Sequence, residues 1–185
     1  MDKKKPQQTN TAAEAFFWAQ ALTVALAVLV CCNTFFFRLS GVVGHSMENT
    51  LHEGDQLILQ IIGYDEPQRG DIIVCYSEAF NGGEALVKRV IALEGDTVDI
   101  SDDGYMVVNG EELYEPYAKE AIWDNKRGDQ SYPLTIGEDK VFVVGDNRNG
   151  SSDSRVTMVG QIAEEDIIGK ALLRIWPLNK IGGVK

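Results

Sequence analysis

The sequence predicts a mainly β protein, in which one N-terminal transmembrane helix precedes an antiparallel β-sheet domain with a small inserted lobe. Three observations predict this class: one uninterrupted apolar run near the N-terminus, a series of short Val, Ile, Leu and Tyr segments after it, and Gly, Asp and Asn between those segments. With 185 residues and 44% hydrophobic content, the chain has enough apolar surface for one core.

The apolar run is predicted to be a membrane anchor. No charged residue occurs between Glu14 and Arg38, and residues 15–37 are long enough to cross a hydrocarbon layer of about 30 Å as a helix. A cleavable leader is the alternative, but its apolar region is usually only about 7 to 15 residues long. The bulky sequence Phe35-Phe36-Phe37 also stands where such a leader needs small residues.

The lysines at positions 3, 4 and 5 predict the orientation of this anchor, because cationic flanks of a first span stay on the cytoplasmic side. Residues 1–14 are therefore expected to form a cytoplasmic tail. Residues 38–185 are expected to be extracytoplasmic, which predicts a single-pass protein of the cell membrane.

Seven segments of the second part have the composition of β-strands, with turn residues between them. They are Gln56 to Ile62, Asp71 to Tyr76, Ala85 to Leu93, Thr97 to Ile100, Tyr105 to Val108, Lys140 to Val144 and Ala171 to Trp176. Asp103-Gly104 and Asn109-Gly110 are typical hairpin turns. Residues 101–139 are predicted to be the inserted lobe, and a short helix is predicted near Ala163 to Ile168.

Composition argues against two classes of function. The net charge of -11 lacks the clustered Lys and Arg that nucleic-acid binding needs. The three cysteines have no CxxC spacing, so neither a disulfide framework nor a zinc site is predicted.

Ser46 follows the anchor closely and is a candidate nucleophile, which needs a base within about 2.6 to 3.2 Å. His45 is its neighbour along the chain, so the two side chains would diverge, and His52 lies in a polar turn. A better candidate is Lys88, which the period of two in a strand places on the same face as apolar Leu86. Burial disfavours the ammonium form and would leave an amine able to accept a proton, although a lysine at a strand edge can also extend into water.

A third polar stretch follows the predicted strand at residues 140–144. Residues 145–155 are dense in Asp, Asn, Ser and Arg. Such a loop is either a solvated turn or a buried hydrogen-bond network that orients catalytic groups.

Taken together and in order, these stretches resemble the type I signal peptidases, membrane-bound serine proteases with a Ser/Lys dyad. The resemblance covers an N-terminal span followed by five motifs: Gly44-His45-Ser46-Met47 through Leu51, Gly54-Asp55-Gln56-Leu57, Arg69-Gly70-Asp71-Ile72-Ile73, Lys88-Arg89-Val90 with Gly95-Asp96, and Gly145-Asp146-Asn147-Arg148 continuing to Ser151, Asp153, Ser154 and Arg155.

The resemblance implies a role for each of several residues. Ser46 would be the nucleophile, Lys88 the general base, and Ser151 would orient the lysine amine by a hydrogen bond. The backbone N–H of Ser46 would be one oxyanion-hole donor, and Gly44 stands where some relatives have a second donor, a hydroxyl. The residues expected to shape the site by pairing with each other are Asp146, Arg148, Asp153, Arg155 and Arg89.

The implied substrates are preproteins with small residues at the first and third positions before the cut, and the lipid bilayer is the other implied partner. A signal-peptide end would add as a strand beside Ser46 and Lys88. The residues expected to line its pockets are Val42, Val43, Met47, Leu86 and Val87. No metal or organic cofactor is implied.

Two alternatives remain open from the sequence. Another Ser/Lys protease, such as a self-cleaving SOS-type repressor, would need a DNA-binding domain, which residues 1–14 are too short to form. A membrane-tethered, non-catalytic β module would bind a partner and tolerate the loss of both Ser46 and Lys88.

Overall fold

The structure is a computed structural model that describes residues 11–77, 80 and 83–184, without the side chains of residues 32–35. It divides into two compact units, one that ends at Phe36 and one from Phe37 to Lys185. The predicted tail, residues 1–14, lies mostly outside the described residues, and Thr11 already begins a helix.

The first unit contains one α-helix, α1 (Thr11–Phe35). Its segment Thr11–Cys31 has a mean hydropathy of 1.8 and is long and apolar enough to cross a membrane. The described side chains of this segment are exposed, as expected of a helix whose apolar surface is made for lipid. The predicted span ended at Phe37, but that residue begins the first strand.

The second unit is mainly β, and all of its strand pairs are antiparallel. Its strands within the described residues are β1 (Phe37–Gly41), β2 (Gln56–Gln60), β3 (Ile72–Tyr76), β4 (Ala85–Ala92), β5 (Thr97–Ile100), β6 (Met106–Val108), β7 (Glu111–Glu112), β8 (Leu134–Thr135), β9 (Lys140–Val144), β10 (Ile162–Ala163), β11 (Ile167–Trp176) and β12 (Gly182–Gly183). The predicted fold class is confirmed.

The strands form two sheets. The larger has the order β1-β2-β11-β3-β4-β9-β10, with β12 paired to β11. The smaller has the order β7-β6-β5-β8 and spans residues 97–135. Asn109 and Gly110 have φ values of 55° and 81° between β6 and β7, as a two-residue type I′ turn requires. That predicted turn is confirmed, whereas the limits of a lobe at 101–139 stay a prediction, since β5 already belongs to the smaller sheet.

Alternate residues of the central strands enter different parts of the core. Ile72 and Val74 of β3 pack with the apolar residues of the turn before β2, whereas Ile73 and Cys75 pack with Val143 of β9 and its neighbours. Burial on both faces explains why these strands are continuous apolar runs. This burial packs β3, β4 and β9 together as a support for the polar groups of the site, of which Lys88 and Arg89 lie within β4.

The predicted helix near residues 163–168 is wrong. Ile162–Ala163 pairs with β9, Glu164–Asp166 forms a short 3-10 turn, and Ile167 begins the long strand β11. Ladder hydrogen bonds to β9 and β3 outweigh the local helix preference of this segment. Two further 3-10 turns are Asp124–Lys126 and Leu178–Lys180.

Candidate active site

Ser46 lies in the turn that joins β1 to β2. Met47 and Leu51 of this turn are almost fully buried, and their backbone groups are joined by a 2.8 Å hydrogen bond from the Leu51 N–H to the Met47 carbonyl. Gly44 has a φ of 82°, a conformation that side chains with a Cβ rarely adopt. The turn is therefore anchored by its apolar residues and leaves Ser46 at the wall of a cleft.

Lys88 lies on β4, opposite Ile73 of β3, and only 3% of it is exposed. Its Nζ is 2.7 Å from Ser46 Oγ and 3.0 Å from the Val87 carbonyl oxygen. The distance to Ser46 lies within the range of a nucleophile and its base. The structure thus brings together two side chains that are 42 positions apart in the sequence.

The environment of Lys88 favours its neutral form. Burial lowers the pKa of the Lys88 amine below that of an ordinary lysine, and it outweighs the nearby Asp153, which raises the pKa. Arg155 adds to the lowering by like-charge repulsion. An amine with a lowered pKa can accept the hydroxyl proton of Ser46 at neutral pH.

The histidines are arranged differently. The ring of His45 lies 2.9 Å from Glu48 and 3.5 Å from Glu53, so both ring nitrogens face carboxylates. His52 is exposed, and its backbone N–H donates to Asp55. Among the described residues, Lys88 is the basic side chain in contact with Ser46 Oγ.

Gly145, which directly follows β9, allows the closest packing in the site. A Cβ at this position would lie 2.3 Å from Ser151 Oγ and 2.5 Å from the carbonyl oxygen of Ser46. Ser151 Oγ is buried, and its contact with Asp153 contributes to the lowered pKa of that carboxyl, but it makes no hydrogen bond with Lys88. The predicted bond from Ser151 to Lys88 is therefore not formed in this structure, and the orienting role of Ser151 stays a prediction.

Two buried ion pairs surround the dyad. Arg89 donates two hydrogen bonds of 2.8 and 2.7 Å to Asp146, which also accepts one from Thr50 in the nucleophile turn. Arg155 donates bonds of 2.7 and 2.9 Å to Asp153. Bidentate, charge-assisted bonds of this kind fix both distance and orientation.

Burial alone would raise the pKa of the Asp153 carboxyl. The adjacent Arg155 and the Gly145 N–H, which donates at 3.0 Å, outweigh it and hold the pKa below its usual range. Asp153 is therefore an anion, and Arg155 balances its charge beside Lys88.

Arg148 has a partner that the sequence did not indicate. Both terminal nitrogens donate to Glu115, at 2.7 and 2.6 Å, and both side chains are only 2% exposed. Tyr117 places its ring 3.8 Å from the guanidinium carbon of Arg89. Glu115 and Tyr117 belong to a polar segment with no periodic pattern. The sequence therefore has no signal that distinguishes Glu115 from the other acidic residues of this segment.

The cleft beside Ser46 has a volume of about 460 Å³. Val43, Leu86 and Val87, which were predicted to contact substrate, lie on its wall. Val42 and Met47 do not, because their side chains turn inward and pack in the core beneath β2. For those two residues the geometry contradicts the predicted contact with substrate.

The sequence matches known proteins along nearly its whole length. The sequence profile described as "Signal peptidase, peptidase S26" matches residues 15–176. The chain belongs to this signal peptidase family. Signal peptidase I of Bacillus amyloliquefaciens is 33% identical over 190 residues, covering 99% of this chain and 100% of that protein. Signal peptidase I P of Bacillus subtilis subsp. natto is 35% identical over 195 residues, covering 100% of this chain and 99% of that protein.

A crystal structure of a signal peptidase I from Enterococcus faecalis is 34% identical in sequence, with a TM-score of 0.46. The matched region covers 57% of the present chain and 96% of the Enterococcus faecalis chain. The assignment to the signal peptidase family is made on the sequence matches.

Within this signal peptidase, motif residues from the nucleophile turn, from β4 and from the loop after β9 lie in contact with each other. These residues form the dyad and the two ion pairs, and the cleft adjoins Ser46 and Lys88. The oxyanion roles of the Ser46 N–H and of Gly44 stay predictions, although Gly44 does line the cleft next to Ser46.

Proposed function

We propose that this chain is a serine endopeptidase that removes signal peptides from exported preproteins, with Ser46 as the nucleophile and Lys88 as the general base. The observation that carries the proposal is the 2.7 Å separation of Lys88 Nζ and Ser46 Oγ, with the lysine buried. A non-catalytic binding module has no need of a buried amine beside a serine hydroxyl, so this contact disfavours that alternative.

The chemistry follows from these two groups. The neutral amine of Lys88 accepts the proton of Ser46 Oγ while this oxygen attacks the scissile carbonyl carbon. The backbone N–H of Ser46 donates to the developing oxyanion. Lys88 then gives the proton to the departing amine of the mature protein. In the second step Lys88 takes a proton from water, which attacks the acyl carbon, and this proton passes to Ser46 Oγ as the signal peptide leaves.

The cleft suggests how an extended substrate binds. The ladder between β4 and β9 begins at Arg89, so residues 85–88 of β4 have no β9 partner. A substrate strand can hydrogen-bond along this part of β4 and place alternate side chains into the cleft. The proposed substrates have small residues at the first and third positions before the cut, and their side chains would contact the cleft wall that contains Val43 and Val87.

The test is cleavage of a peptide whose signal-like segment ends in Ala-x-Ala, by the purified protein in detergent. We expect a single cut directly after the second alanine, identified by mass spectrometry. Replacing either alanine with phenylalanine is expected to lower kcat/KM by roughly 100-fold, because a buried clash removes transition-state binding. No cut, or cuts at unrelated bonds, would contradict the proposed function.

The proposal also includes the lipid bilayer as a partner, with α1 as the anchor and the second unit outside the cytoplasm. Only Phe36 separates the end of α1 from β1. Exposed Phe37 and Leu39 of β1 and Trp176 of β11 give the larger sheet an apolar surface suited to a membrane interface.

The orientation is tested by protease treatment of intact spheroplasts that carry an N-terminally tagged protein. We expect digestion of residues 37–185 and protection of the tagged N-terminus, because the lysines at positions 3 to 5 retain this end in the cytoplasm. A tag that is digested while the second unit stays protected would reverse the proposed topology.

A further inference from the structure

The loop of residues 145–155, which we call the catalytic loop, holds the nucleophile turn. The backbone N–H of Asn147 donates to the Ser46 carbonyl at 3.0 Å, and its side-chain amide donates to the His45 carbonyl at 3.0 Å. Together with the close packing of Gly145 on Ser46, these bonds tie the position of Ser46 to that of the loop. Any shift of the loop would therefore change the distance between Ser46 and Lys88.

The catalytic loop contains no strand or helix, so its backbone groups need partners from elsewhere. Several of the partners of its backbone and side-chain groups come from one region, residues 115–130, which we call the bracing segment. At Asp146, the carbonyl accepts the N–H of Lys119. At Asn149, the backbone N–H donates to Glu120, the side-chain amide donates to the Ala121 carbonyl, and the side-chain oxygen accepts the N–H of Trp123. At Arg155, the guanidinium donates to the Lys126 carbonyl, and the carbonyl accepts the N–H groups of Asp129 and Gln130. The bracing segment thus holds the catalytic loop by several hydrogen bonds, at Asp146, Asn149 and Arg155.

Glu115 makes the strongest of these contacts. Its side chain is almost fully buried, and each carboxylate oxygen accepts a bond from Arg148. Tyr117 donates a third bond to Glu115 at 3.0 Å. A buried bidentate pair with a further donor has one defined geometry, unlike a single bond at the surface.

A chain of contacts leads from this pair to the dyad. The Arg148 carbonyl accepts a 2.6 Å bond from Arg155, and Arg155 pairs with Asp153. Asp153 accepts the N–H of Gly145, on which Ser46 packs. Displacement of Arg148 would move each of these groups in turn.

We propose that Glu115 is a positioning residue of the peptidase, which holds the catalytic loop through Arg148 and thereby sets the alignment of Ser46 with Lys88. This inference rests on the proposed roles of Ser46 and Lys88. It assigns a function to the bracing segment, which supports the chemistry without contacting the substrate. Glu115 lies outside the set of residues that line the cleft, so it acts on the chemical step and not on substrate binding.

The experiment uses the full chain in detergent and the Ala-x-Ala peptide. Glu115→Gln keeps the shape of the side chain but loses its charge, and we expect kcat to fall roughly 10- to 100-fold with KM changed less than about 2-fold, since misplacement by about 1 Å can cost 10²-fold. The matched control is Glu112→Gln, an exposed carboxyl on β7, which is expected to keep the wild-type kcat. A folded Glu115→Gln protein with wild-type kcat would overturn the inference.

A second variant separates positioning from stability. In Glu115→Met/Arg148→Met both charges are removed together, and apolar replacement of a buried ion pair often preserves stability. We expect a folded protein with near-wild-type thermal stability whose kcat remains at least roughly 10-fold low at unchanged KM. If the folded double variant has the wild-type kcat, the pair does not align Ser46 with Lys88 and the inference fails. This variant also decides the question if Glu115→Gln does not fold.

The outcomes distinguish this inference from the function on which it rests. A wild-type protein that does not cut the peptide would contradict the proposed function itself. A wild-type protein that cuts, beside a folded Glu115→Gln variant that cuts equally well, would contradict the role of Glu115 alone.

Discussion

The Lys88→Met variant is expected to cleave a signal-peptide substrate roughly 10³-fold more slowly than the wild type while remaining folded, since general bases contribute about 10²- to 10⁴-fold. Methionine resembles lysine in length and suits the buried site, but it has no proton acceptor for Ser46. The measurement is kcat on the Ala-x-Ala peptide, with the circular dichroism spectrum as the test of folding. Lys140→Met, at an exposed position at the start of β9, is the matched control and is expected to keep full activity.

The lowered pKa of Lys88 adds a pH dependence with a defined sign. The amine must be neutral to act as a base, so kcat/KM is expected to fall as the pH drops through the pKa of Lys88 and to hold at higher pH. Because burial lowers the pKa of Lys88, this loss of activity is expected at a lower pH than the one at which an ordinary lysine gains its proton. The charged or titratable groups that surround the amine are Asp153, Cys75, Arg155 and Asp146. A rate that stays constant from neutral pH to pH 5 would show that Lys88 is not the base.

The second large effect is expected on stability, at the buried pair of Arg89 and Asp146. Arg89→Met leaves the Asp146 carboxylate in the protein interior without its guanidinium, and loss of one partner from a buried pair costs about 3 to 5 kcal/mol. The free energy of unfolding is therefore expected to fall by this amount, as measured by denaturant titration in detergent. The pair also joins β4 to the nucleophile turn, so activity is expected to be lost together with stability.

A surface ion pair provides the control for this prediction. Arg69 pairs with Asp96 at 2.9 Å but is 41% exposed, and exposed pairs contribute only about 0.2 to 1 kcal/mol. Arg69→Met is therefore expected to change the free energy of unfolding by less than about 1 kcal/mol. If both variants lost the same free energy of unfolding, the stabilising role assigned to burial of the Arg89–Asp146 pair would be contradicted.

The period of two in β4 was sufficient to predict that Lys88 enters an apolar environment. The same strand places Arg89 on Asp146, one of the pairings that the family resemblance had implied for Arg89. Long-range partners were harder to predict: Glu115 meets Arg148 across 33 positions, and nothing in the composition of its segment separates it from other acidic residues. Tertiary contacts alone decide such a pair.

Local sequence patterns also gave wrong predictions where the same residues are compatible with two local conformations. Val42 and Met47 are apolar neighbours of the nucleophile, yet the turn directs them into the core and leaves Val43 in the cleft. Residues 163–168 have a helix-like composition, but pairing with β9 and β3 places half of them in the sheet, and the other half form a 3-10 turn. In both cases the neighbouring elements determine the outcome, and these become visible only in the folded chain.

The most direct test of the Ser46/Lys88 chemistry is a side-by-side assay of the wild type and Ser46→Ala on the Ala-x-Ala peptide. The substitution removes one oxygen atom and leaves the turn, the cleft and the buried ion pairs in place. We expect the wild type to release one product and Ser46→Ala to release it at least roughly 10³-fold more slowly, as for the loss of a nucleophile. Cleavage at the same bond by Ser46→Ala at the wild-type rate would contradict the proposed mechanism.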